Sequence, residues 1–96
     1  MLKLIAEDFI SEDKIEVVLP FYKELVEKTR NEVGCISYEL HQDLKNVGHF
    51  IFVEEWVNRE ALDTHVQSEH FQRLVPQIDK YKVQDGRFTH MSKLDY

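Results

Sequence analysis

Glu54 lies two residues from Phe52 and two from Trp56, in a stretch whose alternate positions, Phe50 included, are otherwise aromatic. In an extended strand these four side chains share one face. A carboxylate on an aromatic face needs a partner, because burying it alone is costly. The nearest candidate is His65, three residues after Leu62 at the edge of the apolar stripe of the following helix. A carboxylate beside an imidazole fixes its tautomer and favours its protonated form, which suits a general base. Two readings stand side by side: a satisfied polar pair in the core, or an acid–base pair beneath the helices. Both require Glu54 to point inward and not into bulk water.

The other candidates carry weaker signals. Trp56 and Phe71 read as core aromatics that could also wall a pocket. His70 follows Ser68 at a helix start, where capping or exposure is the usual fate. On one continuous helix His65 and His70 would stand about 140° apart, so they do not make the i,i+4 metal face of an HExxH motif. His41, His49 and His90 have no ligand spacing, and no metal is expected. Cys35, the single cysteine, alternates away from the aromatic face and has no evident base beside it, so inert burial is expected. Asp8 ends the first apolar stretch, where a carboxylate is often simply solvated. No glycine-rich phosphate loop, GxSxG or Walker pattern is present, so no cofactor is expected.

The elements that must position these residues follow from periodicity. Leu2 to Ile10 reads as a strand. Ser11 makes an N-cap, with Glu12 and Asp13 at the positive end of a helix dipole. Ile15, Val18, Leu19, Tyr22, Leu25, Val26 and Thr29 then form a helical stripe, with a bend expected near Pro20 and an end at Gly34. In Cys35–Asp43, Ile36, Tyr38 and Leu40 alternate against Ser37, Glu39 and His41; His49–Val57 follows after the turn 44–48, giving an antiparallel hairpin. Both faces of the second hairpin strand are partly apolar, so something covers each. Asn58 caps a short helix with Leu62, His65 and Val66. Ser68 caps the next, with Phe71, Leu74, Val75, Ile78 and Tyr81 inward and a kink or break at Pro76. Gly86 opens a last strand over Arg87–Leu94. The order β-α-β-β-α-β is the split βαβ of ferredoxin-like α+β domains, with a four-stranded antiparallel sheet. Residues 1–96 are expected to form one domain. The helices cover one sheet face, and a second copy stacked on the other would hide Ile51 and Val53, so a homodimer is expected.

Composition excludes several classes. With 18 acidic against 12 basic residues and a net charge of −6, the chain has no basic stripe for nucleic acid. No apolar run approaches a membrane span, no secretory signal is evident, and one cysteine forms no internal disulfide. A cytoplasmic protein with no membrane and no nucleic-acid partner is expected.

The segments Thr29–Leu40 (TRNEVGCISYEL), Phe52–Trp56 (FVEEW), Ala61–His65 (ALDTH) and Ser68–Phe71 (SEHF) together resemble the antibiotic biosynthesis monooxygenase family, in order and spacing. The resemblance runs nearly end to end and implies a dimeric α+β barrel with pockets between sheet and helices. It also implies oxygenation of small quinol- or anthrone-type aromatics without metal or flavin. A deprotonated electron-rich phenol can pass an electron to O₂, so the protein need supply only a base, a dry aromatic slot and room for dioxygen. On this likeness His65 is the expected base and Glu54 the group that orients it, with Trp56, Asp8, Phe71, Tyr38 and His70 as the expected substrate contacts. A haem-degrading branch has an Asn, a Trp and a His where this chain has Asp8, His65 and Val75, which argues against that activity. Two alternatives stay open: an isomerase or lyase acting on a small phosphorylated metabolite of the autoinducer-2 type, which would want a basic pocket drawn from Arg30, Arg59, Arg73 or Arg87, and a non-catalytic dimeric ligand-binding module.

Overall fold

A computed structural model describes residues 1–96. Strand β1 (Leu2–Ile10) leads through a single 3-10 turn (Glu12–Lys14) into α1 (Ile15–Thr29). The hairpin β2 (Cys35–Gln42) and β3 (His49–Trp56) follows, then α2 (Arg59–Gln67), α3 (Glu69–Asp79) and β4 (Lys82–Met91). The sheet is fully antiparallel in the order β2-β3-β1-β4, the ferredoxin-like α+β arrangement, with α2 and α3 together standing for its second helix.

Register decides what lies under the helices. Leu4 pairs with Glu54 and Ala6 with Phe52 across β1 and β3, while Tyr38 faces Glu54 and Leu40 faces Phe52 across β2 and β3. Directly paired residues share a face. These side chains therefore meet Val18, Tyr22 and Leu25 of α1, Leu62 of α2, and Leu74 and Ile78 of α3 in one core. The period-2 reading of β3 thus places Phe50, Phe52, Glu54 and Trp56 inward, all buried.

Four local expectations are corrected. A register shift between Cys35 and Ser37 sets Cys35 opposite Trp56, packed against the core on the helix face, and leaves Ile36 half exposed. One extra residue in a strand reverses the alternation beyond it, so the simple reading of Cys35 and Ile36 fails there. Strand β4 begins at Lys82 and ends at Met91, not at Arg87 and Leu94. Gly86 lies inside it beside a register irregularity, where an added Cβ would stand 2.5 Å from the Glu7 carbonyl oxygen. It permits close backbone approach and does not mark a strand start. Ser11 donates to Asp13 and makes no side-chain cap bond; its carbonyl accepts from Lys14 N–H. Leu19 is exposed on α1. Pro20 and Pro76 both lie inside helices that continue past them, so of the kink or break expected at Pro76 the break does not occur.

The caps of the two short helices hold as expected. Asn58 accepts from Ala61 N–H at 2.9 Å, and Ser68 accepts from Phe71 N–H at 3.2 Å. Ser68 also closes α2, its hydroxyl donating to the His65 carbonyl at 2.7 Å. This one residue turns the chain between α2 and α3.

The opposite sheet face carries a polar network. His49 stacks on Phe9 with ring centroids 4.6 Å apart. Its Nδ1 meets Asp43 at 3.0 Å and its Nε2 meets Glu7 at 2.9 Å, and Arg87 donates to the same Glu7 at 3.1 Å. Ile5, Ile51 and Val53 lie partly exposed on this face. No helix is long and apolar enough to cross a membrane.

Candidate active site

Between sheet and helices lies a cavity of about 320 Å³, near the lower end of the ~300–1,000 Å³ typical of ligand clefts. Most of its wall is apolar, drawn from Leu4, Leu25, Phe52, Leu62 and Phe71 among others. Phe88, two-thirds exposed on β4, stands at its rim. Two polar poles interrupt this lining.

The first pole holds Glu54, His65 and Tyr38. Glu54 is 3% exposed and His65 2% exposed, and both line the cavity. They do not partner each other. Trp56 donates its indole N–H to Glu54 Oε1 at 2.9 Å. Burial pushes the Glu54 carboxyl up to about 7, against the pull of the Trp56 bond. His65 instead meets Glu32: its Nδ1 lies 2.7 Å from Glu32 Oε2. The expectation that Glu54 orients His65 is therefore corrected. The orienting carboxylate is Glu32, in the turn after α1, which sequence reasoning missed. Burial pulls the His65 imidazole below its ordinary value, and Glu32 works against that pull. A carboxylate at Nδ1 selects the tautomer with its proton there, leaving the Nε2 lone pair for a ligand. Nε2 has no protein partner and is not sealed from solvent.

Aromatic rings fix the imidazole. Trp56, Phe71 and Tyr38 stand with centroids 4.7, 5.0 and 5.4 Å from it. Tyr38 is 3% exposed, makes no side-chain hydrogen bond, and its hydroxyl is not sealed off. Burial first, and the Glu54 charge next, hold the phenol well above its usual value, so it stays a donor.

The second pole is at the other end of β1. Asp8 accepts from Tyr22 Oη at 2.6 Å and from Lys82 Nζ at 3.1 Å, and Lys82 reaches Asp79 at 2.7 Å. Burial opposes the charge on Lys82, but Asp79 and Asp8 together raise its affinity for a proton. Because Leu4 opposes Glu54, the two poles are four β1 residues apart, about 13 Å of strand.

The structure thus brings Glu54, His65, Tyr38, Asp8 and Phe71 to one cavity. Trp56 and His70 do not line it. Trp56 is fully buried behind Glu54, and His70 contacts Glu32 through Nε2 at 2.7 Å. Of the four arginines considered from sequence, only Arg59 lines the cavity, alongside Asp8, Glu54, Asp63 and Asp79. Cys35 faces inward and its thiol is held protonated by burial and by Glu32. The residues able to hold a metal ion are Glu32, His65 and His70, whose ligand atoms all lie within 4.8 Å of one another. They converge because Ser68 ends α2 between the two histidines, so the 140° separation of a continuous helix does not apply.

Comparison with known proteins agrees with this architecture. The family model for antibiotic biosynthesis monooxygenase matches residues 1–77. A crystal structure described as an antibiotic biosynthesis monooxygenase is 53% identical, with a TM-score of 0.97, covering 98% of this chain and 99% of that one. Rv0793 of Mycobacterium tuberculosis, named as a candidate monooxygenase, is 30% identical over 71 residues, covering 74% of this chain and 69% of that protein. YcnE of Bacillus subtilis, named in the same way, is 29% identical over 75 residues, covering 78% and 79%. An uncharacterised protein of Synechocystis is 38% identical over 66 residues, 69% of this chain, but the match spans only 45% of that protein's length. On the family match over residues 1–77 and the fold it accompanies, the chain belongs to the antibiotic biosynthesis monooxygenase family.

Proposed function

We propose that the protein is a cofactor-independent monooxygenase that oxidises a small quinol- or anthrone-like aromatic with O₂. The observation that carries this reading is a buried imidazole in the wall of an apolar cavity, its Nδ1 held by Glu32 and its Nε2 without a protein partner. His65 takes the phenolic proton through Nε2. The resulting anion gives an electron to O₂, and the two radicals combine to form a carbon–oxygen bond. The oxygen–oxygen bond then breaks, leaving one oxygen atom on the ring while the other departs as water, so quinol plus O₂ gives hydroxyquinone plus water. Glu54, with a value of about 7, exists in both forms near neutrality and supplies the proton that the departing oxygen needs. Tyr38 donates to the developing negative charge. Phe71 and Phe52 grip the ring.

The acidic majority among the charged lining residues disfavours a phosphorylated metabolite, which would need more than Arg59 and Lys82, the latter already engaged by two carboxylates. We further propose that the protein acts in the cytoplasm as a homodimer stacked through the sheet face bearing Ile5, Ile51 and Val53, which the helices leave bare. Oxygen uptake with a panel of benzo-, naphtho- and anthracene-type quinols tests the activity. Enzyme-dependent uptake with one oxygen atom retained in the product is expected; no uptake with any member of the panel refutes it.

A further inference from the structure

We propose that Glu32, His65 and His70 form a binding site for a late first-row divalent cation of the zinc class. Three elements supply the ligands: the turn after α1, the last turn of α2 and the first turn of α3. A single carboxylate oxygen, Oε2 of Glu32, meets Nδ1 of His65 and Nε2 of His70, each at 2.7 Å. Two imidazole nitrogens and one carboxylate oxygen are the ligand set such ions prefer, whereas magnesium and calcium demand mostly oxygen.

The geometry is that of ligands held together by protons in place of an ion. Bonds of about 2.0–2.1 Å around a tetrahedral centre set neighbouring ligand atoms roughly 3.4 Å apart. Each contact to Glu32 must therefore lengthen by well under an ångström. His65 is fixed by Trp56 and Phe71, but the side chains of Glu32 and His70 are each 14% exposed and have room to adjust. Their exposure also provides an entry path and a place for a water ligand. The other histidine flanked by carboxylates is His49, but it meets Asp43 and Glu7 through opposite ring nitrogens, so its neighbours do not converge on one point.

The site shares His65 with the cavity. A cation on Nδ1 displaces the proton from that nitrogen, and the neutral ring then carries its proton on Nε2, the atom proposed above to accept the substrate's proton. Occupancy would switch off the base. This consequence rests on the proposed role of His65; the binding site itself does not.

Calorimetric titration of the intact protein with zinc chloride, paralleled by the visible absorption of added cobalt(II), tests the site. One equivalent per chain with micromolar affinity and the absorption of a nitrogen-ligated cobalt ion is expected. His70→Ala and the isosteric Glu32→Gln should each weaken binding at least about tenfold, and His49→Ala should leave it unchanged. Circular dichroism melts of each variant establish that it is folded. No saturable binding by the wild-type protein, or binding by folded His70→Ala and Glu32→Gln equal to that of the wild type, overturns the proposal. Zinc binding that leaves quinol turnover intact contradicts the role given to His65 and leaves the cation site standing.

Discussion

The indole N–H of Trp56 donates to the carboxylate of Glu54, two residues back on the same strand, at 2.9 Å in a fully buried setting. Alternation puts both on the helix face, and the i,i+2 spacing lets the long indole reach back along the strand. This bond is the only side-chain hydrogen bond to a carboxyl that burial has lifted to about 7. Trp56→Phe removes the donor, so Glu54 should titrate higher still. Carboxyl carbon chemical shifts followed against pH by NMR check the direction.

Glu54 should also make stability depend on pH. Its folded value, about 7, exceeds its unfolded value of 4.5, so the folded state holds the proton more tightly. That contribution is complete below about pH 4.5, declines as pH rises and is gone above about pH 7, a difference on the order of 3 kcal/mol. Glu54→Gln, which cannot ionise, should be closest to wild-type stability under acid conditions and gain on it towards pH 8. Urea melts of both proteins at pH 4.5 and 8 test this, and a constant difference between them would contradict it.

His49 adds to the same trend from the other face. Its hydrogen bond to Asp43, then Glu7, raises its value above 6.5 despite an opposing effect of burial. A raised histidine stabilises fully below its unfolded value and loses that contribution as pH climbs through the folded one. The wild type should therefore lose thermal stability as pH rises above 6.5, and His49→Ala should show a flatter profile over that interval. Because His49 lies on the face proposed to stack, the same variant should alter the pH dependence of dimerisation measured by analytical ultracentrifugation.

Gly34 lets α2 sit close to the turn that carries Glu32. An added Cβ would stand 2.3 Å from the Ala61 Cβ and 3.3 Å from Val57. Gly34→Ala should cost about 1–3 kcal/mol through overpacking. It should also loosen the contact between Glu32 and His65 by pushing α2 away, so turnover should fall by more than the loss of folded protein explains. Thermal melts beside kinetics on the surviving fraction separate the two effects.

Much of this was legible in the sequence because it depends on short periods. Period-2 alternation placed Glu54 under the helices, and the three-and-four spacing found the faces of α1 and α3. Caps at Asn58 and Ser68 were readable because a side chain bonds a backbone group three residues on. What escaped depends on long range or on irregularity. Glu32 is 33 residues from His65 and meets it only because the β2–β3 hairpin returns the chain to the turn after α1. The bulge at Ile36 carries no residue signal, so simple alternation puts Cys35 on the wrong face. The helix break at Ser68 is readable from its cap, but that it turns both His65 and His70 towards Glu32 depends on the same long-range return of the chain.

The central claim is that His65 Nε2 accepts the substrate's proton, with Glu32 holding Nδ1. The most direct measurement is the oxygen-uptake rate of wild type and His65→Gln at saturating concentration of the best quinol, with both proteins shown to be folded. Loss of a general base predicts a fall of about 10²–10⁴-fold in kcat with little change in KM. Equal kcat in the two proteins would contradict the account.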